Sequence, residues 1–142
     1  MGRTMTEEEW RAFLAHGTRT GKLATTRRDG RPHVVPIWFV VDGGDLVFTT
    51  AARTVKARSM RRDPRVCVCV DDERPAYAFV MVEGTARFVD DAAELHRFAT
   101  AIGGRYMGAA RAEEFGRRNA VPEEVLVRVT PTRVSAEDAI AE

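Results

Sequence analysis

From Gly21 to Thr50 the apolar residues come in short runs broken by turn formers, and the gaps leave no room for a helical crossover. GKLATTR (21–27) reads as a strand, Asp29-Gly30 within RRDGR as a hairpin turn, and HVVPIWFVV (33–41) as the return strand. Pro36 cannot donate a ladder hydrogen bond, so it predicts an edge or a bulge. DGGD (42–45) predicts a second tight turn, and LVFTT (46–50) a third strand. RVCVCVD (65–71) is apolar at successive positions, which predicts a central strand buried on both faces. AYAFVMVEGTARFV (76–89) predicts a long strand with a bulge or bend at Gly84, and EVLVRVTPTRV (124–134) a last one, followed by a tail over 136–142.

The period switches to helical at three places. Thr6 and Glu9 form an S/T-x-x-E capping box before the stripe Trp10, Phe13, Leu14. Thr54 can cap a short helix over VKARSMRR, which Asp63-Pro64 stops. After Asp91, Leu95, Phe98, Ala99 and Ile102 follow helical spacing. GGRYMG (103–108) predicts an interruption, with a weaker helix over ARAEEFGRRNA ended by Pro122. Six mostly hairpin-connected strands with peripheral helices predict one domain over 1–142. The class is mainly β or α+β, a small antiparallel barrel. A Rossmann fold is excluded by the strand spacing and by the lack of G-x-G-x-x-G.

Composition adds limits. With 44% apolar and 30% charged residues the chain has the make-up of an ordinary globular domain. A net charge of +1 argues against general nucleic-acid binding. No stretch reads as a signal peptide or a membrane span, which predicts a cytoplasmic protein without a membrane partner. Cys67 and Cys69 would point to one face as free thiols packing like small hydrophobes. They have no further ligands at metal spacing, and His16, His33 and His96 are scattered, so no metal site is expected. No G-x-S-x-G elbow or other covalent nucleophile is present.

The densest chemistry lies in TTAARTVKARSMRRDPRV (49–66), where six cations face the single acid Asp63. Thr49 and Thr50 offer hydroxyls, a helix starting near Thr54 offers free amides, and Arg53 and Lys56 add full charges within a turn. Such a set suits a phosphate or carboxylate. A solvated helix face with Val55 and Met60 turned inward fits the residues equally well.

This order of motifs is similar to that of the pyridoxamine 5'-phosphate oxidase-like split-barrel superfamily. The resembling elements are the strand, the D-G hairpin, PHVVPIWFV, VFTT, TVKARSMRRDPRV and VEGTARF. More closely, the chain resembles the actinobacterial branch that uses the deazaflavin coenzyme F-420, over about 21–134. GGRYMG also resembles a late helical motif of that branch. The resemblance implies a six-stranded split barrel forming a homodimer, with cofactor sites at the interface. It places Thr49, Thr50, Arg53, Val55 and Lys56 around the cofactor phosphate and Pro36, Ile37 and Trp38 along the ring system. It brings Tyr77 and Phe79 to the cofactor from the partner subunit. The apolar strands VCVCV and YAFVMV carry more apolar surface than one small core covers, which also predicts a dimer.

The resemblance implies a reductase that passes a hydride from F-420 to an electron-poor small organic acceptor. An FMN-dependent oxidoreductase of the same fold is one alternative, and a non-catalytic cofactor carrier or ligand-binding protein another. Pyridoxamine phosphate oxidases carry an R-K pair followed closely by Q at the phosphate segment. ARTVKARSM lacks that Q, so the resemblance reaches the fold and the cofactor class rather than that enzyme's own reaction. Arg61 and Arg62 form a basic rim suited to the poly-glutamate tail that F-420 carries.

Overall fold

The computed structural model describes residues 2–142. One antiparallel sheet carries the fold. Its strands are β1 (Arg3–Thr4), β2 (Gly21–Thr26), β3 (Pro32–Ile37), β4 (Val40–Asp42), β5 (Asp45–Ala51), β6 (Arg65–Asp72), β7 (Ala78–Val89) and β8 (Glu124–Asp138). The order across the sheet is β3-β2-β6-β7-β8-β5-β4, with β1 added to the far end of β8. Helices α1 (Glu7–Ala15), α2 (Val55–Arg62), α3 (Ala92–Met107) and α4 (Ala112–Asn119) surround it.

The strand count is eight rather than six for two reasons. HVVPIWFVV breaks at Trp38 and Phe39 into β3 and β4, and Arg3–Thr4 pairs with Asp138 and Glu137, which draws Ala136–Asp138 of the expected tail into β8. Pro36 is on edge strand β3, where its missing N–H costs no ladder bond. Gly30, Gly43 and Gly44 adopt positive φ in the two hairpin turns, as Asp29-Gly30 and DGGD require. The register shifts at Glu83/Gly84, where a Cβ on Gly84 would meet the Thr130 carbonyl oxygen at 2.6 Å. The capping box forms as expected: Glu9 N–H donates to Thr6 Oγ1 and Thr6 N–H to Glu9 Oε1.

The core collects one face of each long strand. Leu23, Phe48, Val66, Val68, Val70, Val80, Val82, Val127 and Val129 form one cluster with Phe39, Leu14 and Met60. A smaller cluster of Val47, Phe98 and Leu126 seals α3 onto the other face of β5 and β8. β6 corrects one expectation. It is central, between β2 and β7, but only its valines are buried, and Cys67 and Cys69 stay half-buried on the outer face.

The interruption expected at GGRYMG is absent, because α3 runs on through Met107 and only Gly108 ends it. Gly103 and Gly104 are there for packing. A Cβ on Gly103 would sit 2.5 Å from the Phe115 Cβ of α4, so only glycine lets the two helices approach this closely. Among the described residues no helix is long and apolar enough to cross a membrane.

Candidate functional site

The junction of β5 and α2 brings together Thr49, Thr50, Arg53, Val55 and Lys56. Its local structure follows from Thr54. Thr54 Oγ1 accepts from Ala57 N–H and donates to the Ala51 carbonyl, which caps α2 and turns the chain sharply off β5. Arg58 N–H is taken by the Thr54 carbonyl, so Val55 and Lys56 carry the free amides of the first turn. The helix dipole adds partial positive charge at the same point.

Two threonines that are neighbours in sequence part company here. Thr49 pairs with Leu126 and shares the α3 face, whereas Thr50 pairs with Val125 and faces the barrel core. Thr50 is buried, with its Oγ1 3.3 Å from that of Thr54, so its hydroxyl supports the cap. Thr49 is half-buried beside Glu124, whose carboxyl its hydroxyl favours in the ionised form.

Lys56 is half-buried, and burial holds its pKa below the ordinary lysine value although the nearby Glu124 carboxylate opposes the shift. Glu124 is pushed up by burial, against the pull of Thr49 and Lys56. Spacing gave no hint of Glu124: it opens the last strand and reaches the site only through the β5–β8 register, opposite Ala51. Arg53 is exposed.

Beside α2 lies an open cavity of about 570 Å3 walled by Arg27, Arg28, Arg58, Arg61 and Arg62, with Val55 and Ser59 and no carboxylate. The first two arginines come from the β2–β3 hairpin, which sequence reasoning did not connect with the site. Arg27 Nε is buried there without a hydrogen-bond partner. Arg61 rests over the Phe88 ring at 4.1 Å, and Arg65 pairs with Asp63. That pairing, with the backbone N–H of Arg65, lowers the Asp63 pKa to about 2.

Of the residues expected along a ring system, Pro36 is exposed on β3 and Ile37 is buried in the core. Trp38 lies off the strand, stacked on Tyr106 with centroids 5.0 Å apart and planes 4° from parallel, and 37% of it stays exposed. His33 is opposite Thr25 on the inner face of β3, its Nδ1 buried and unpartnered. Tyr77 is 44% exposed at φ +67, and Phe79 is half-buried on the outer face of β7. Phe79 pairs with Glu137 and Thr49 with Leu126, so this pair and the β5–α2 junction lie at opposite ends of β8. One chain does not join them. Among the described residues no three His, Cys, Asp or Glu side chains gather as a metal site.

The family model described as pyridoxamine 5'-phosphate oxidase matches residues 6–138. The chain belongs to this family. Among solved structures, Rv2991 from Mycobacterium tuberculosis is 31% identical with a TM-score of 0.82, covering 95% of this chain and 86% of that one. A structure named F420 reductase is 29% identical with a TM-score of 0.69, covering 87% and 94%. The FAD binding protein from Mycobacterium smegmatis is 28% identical with a TM-score of 0.66, covering 94% and 97%. The α+β fold of this family member is the split barrel of the superfamily, with flavin-related proteins among its structural relatives.

Proposed function

We propose that this family member is an F-420-dependent reductase acting on an electron-poor small organic acceptor. The observation that carries the reading is the β5–α2 junction. It combines two free helix amides, the half-buried Lys56 and the exposed Arg53, which form a donor set for an anionic end group. F-420, FMN and FAD all carry phosphate, so the residues present fit each of them. The 29% identical F420 reductase favours the deazaflavin, and the basic cavity favours it further. Five arginines without a lining carboxylate suit the poly-glutamate tail, which the other two cofactors lack.

When bound, the deazaflavin supplies a hydride for two-electron reduction. The chain's part is to bind and orient. Lys56, Arg53 and the amides of Val55 and Lys56 hold the phosphate, with Thr49 beside them. Pro36 and the exposed part of Trp38 border the ring, and buried Ile37 backs them from the core. Thr50 acts through the Thr54 cap.

Tyr77 and Phe79 reach the cofactor from a second copy. The outer sheet face supports that homodimer: Val34, 64% exposed, lies opposite Ala24, and Ala24 opposite Cys67, with Cys69 and Met81 paired alongside. A second copy covering this face would remove the apolar surface from water.

The test is a fluorescence-quenching titration with F-420 and, in parallel, with FMN and FAD. Preferential F-420 binding that weakens as the glutamate tail is shortened supports the reading. Tail-length dependence unchanged by Arg61→Glu with Arg62→Glu removes the basic cavity from it. The FAD binding relative makes a flavin enzyme the second reading, and tighter FMN or FAD binding would select it. A bound cofactor that no electron-poor acceptor oxidises would select a carrier. Sedimentation at the 15.8 kDa monomer mass would sink the interface site.

A further inference from the structure

The break between β3 and β4 leaves the Phe39 N–H and carbonyl without ladder partners. The last turn of α3 satisfies both. Phe39 N–H donates to Tyr106 Oη at 3.3 Å, and Arg105 Nη1 donates to the Phe39 carbonyl at 2.7 Å. Each side chain is anchored elsewhere as well. Tyr106 Oη donates to the Arg19 carbonyl at 2.9 Å. Arg105 donates to the carbonyls of Leu14 at 2.8 Å, Gly17 at 2.9 Å and His16 at 3.4 Å, around the C-terminus of α1. Its guanidinium also lies over the Phe39 ring, 4.7 Å from the centroid. The two peptides that flank Phe39, the first of them joining it to Trp38, are therefore gripped by two neighbouring residues of one helix, while the Tyr106 ring covers one face of the indole.

The Trp38 indole packs on Tyr106 and lies 6.0 Å from the tilted Phe115 ring, and 37% of the residue stays in solvent although the backbone beside it is tied down. An exposed ring held in one orientation has already lost its rotamer freedom, so a planar ligand stacking on it pays no further ordering cost. We propose that Arg105 and Tyr106 are positioning residues that preset Trp38 as a wall for the planar ring of the cofactor. The inference rests on the reading that Trp38 borders that ring.

The experiment compares wild type with Trp38→Ala, Tyr106→Phe and Arg105→Lys in F-420 titrations. In each protein inorganic phosphate is also titrated as a competitor at the anion end. Tyr106→Phe keeps the stacked ring and removes only the hydroxyl, and near-UV circular dichroism reads the Trp38–Tyr106 pair directly. The expected result is an F-420 affinity about tenfold weaker in both Trp38→Ala and Tyr106→Phe, with the phosphate inhibition constant unchanged. Arg105→Lys, which cannot span the same carbonyls, should behave like Tyr106→Phe and carries the test if that variant folds poorly.

Tyr106→Phe binding F-420 as wild type does, beside a weakened Trp38→Ala, overturns the positioning role and leaves the cofactor reading standing. Equal loss of F-420 and phosphate affinity in Tyr106→Phe also overturns it, since that is the mark of a general structural defect. Wild-type affinity in Trp38→Ala removes Trp38 from the ring site and the inference with it, while loss of binding in Lys56→Ala would still uphold the anion end.

Discussion

At the last turn of α3, Arg105 donates to four backbone carbonyls and lies against the rings of Phe39 and Tyr106. Around α2, Arg53 and Arg58 are exposed, and among the described residues neither makes an ion pair or a side-chain hydrogen bond. Arg128 sides with Arg105: it reaches Asp42 at 2.6 Å and Asp45 at 3.2 Å, joining three strands. The same side-chain type thus does two different jobs. A guanidinium with most of its donors engaged holds distant segments in register, and its loss leaves several acceptors stranded. A cation whose donors are free contributes little to folding and remains available to an anion.

The largest effect expected from this contrast is on stability. Arg105→Met should destabilise the fold by about 2–4 kcal/mol in urea unfolding, because up to four carbonyls lose their donor in a half-buried place. A loss near zero would mean that water replaces the guanidinium and that the α3 grip is ornamental. Lys56→Ala should work the other way round. It should weaken cofactor binding roughly 10- to 100-fold in a quenching titration while leaving the unfolding midpoint nearly unchanged.

pH sharpens the same point. Burial lowers the Lys56 pKa, so its charge is complete below that depressed value and disappears as pH rises through it. Affinity for the anionic end should therefore fall at a pH below the ordinary lysine range, and a bound anion should move the fall upward. Glu124→Gln removes the carboxylate that faces Lys56 and should tighten binding, by about two- to fivefold. Weaker binding in that variant would show that Glu124 holds Lys56 in place rather than competing with the ligand. The smallest effect is expected for Arg58→Met, within about 0.5 kcal/mol of wild-type stability.

Much of the fold is legible in the residues themselves. Thr6 with Glu9, Thr54, Asp29-Gly30, DGGD and Gly84 each act within a few positions, and each does what its chemistry predicts. The β5–α2 junction is legible for the same reason, since it is built from a strand end and the helix that follows at once. The errors are all nonlocal. GGRYMG carries breaker residues, but its first two glycines serve the approach of α4, which sequence distance hides. HVVPIWFVV reads as one strand until α3 takes over the hydrogen bonds of Phe39.

What the sequence by itself determined, then, is the set of local elements and the place where positive charge meets a helix start. Caps, turns and side-chain alternation are decided by neighbours along the chain. The tertiary structure alone decided that Thr49 and Thr50 serve different faces, that Glu124 stands against Lys56, and that Arg27 and Arg28 join the α2 arginines. It also decided that Tyr106 lies on Trp38. Those meetings depend on strand register and helix docking, which bring together residues that no periodicity links.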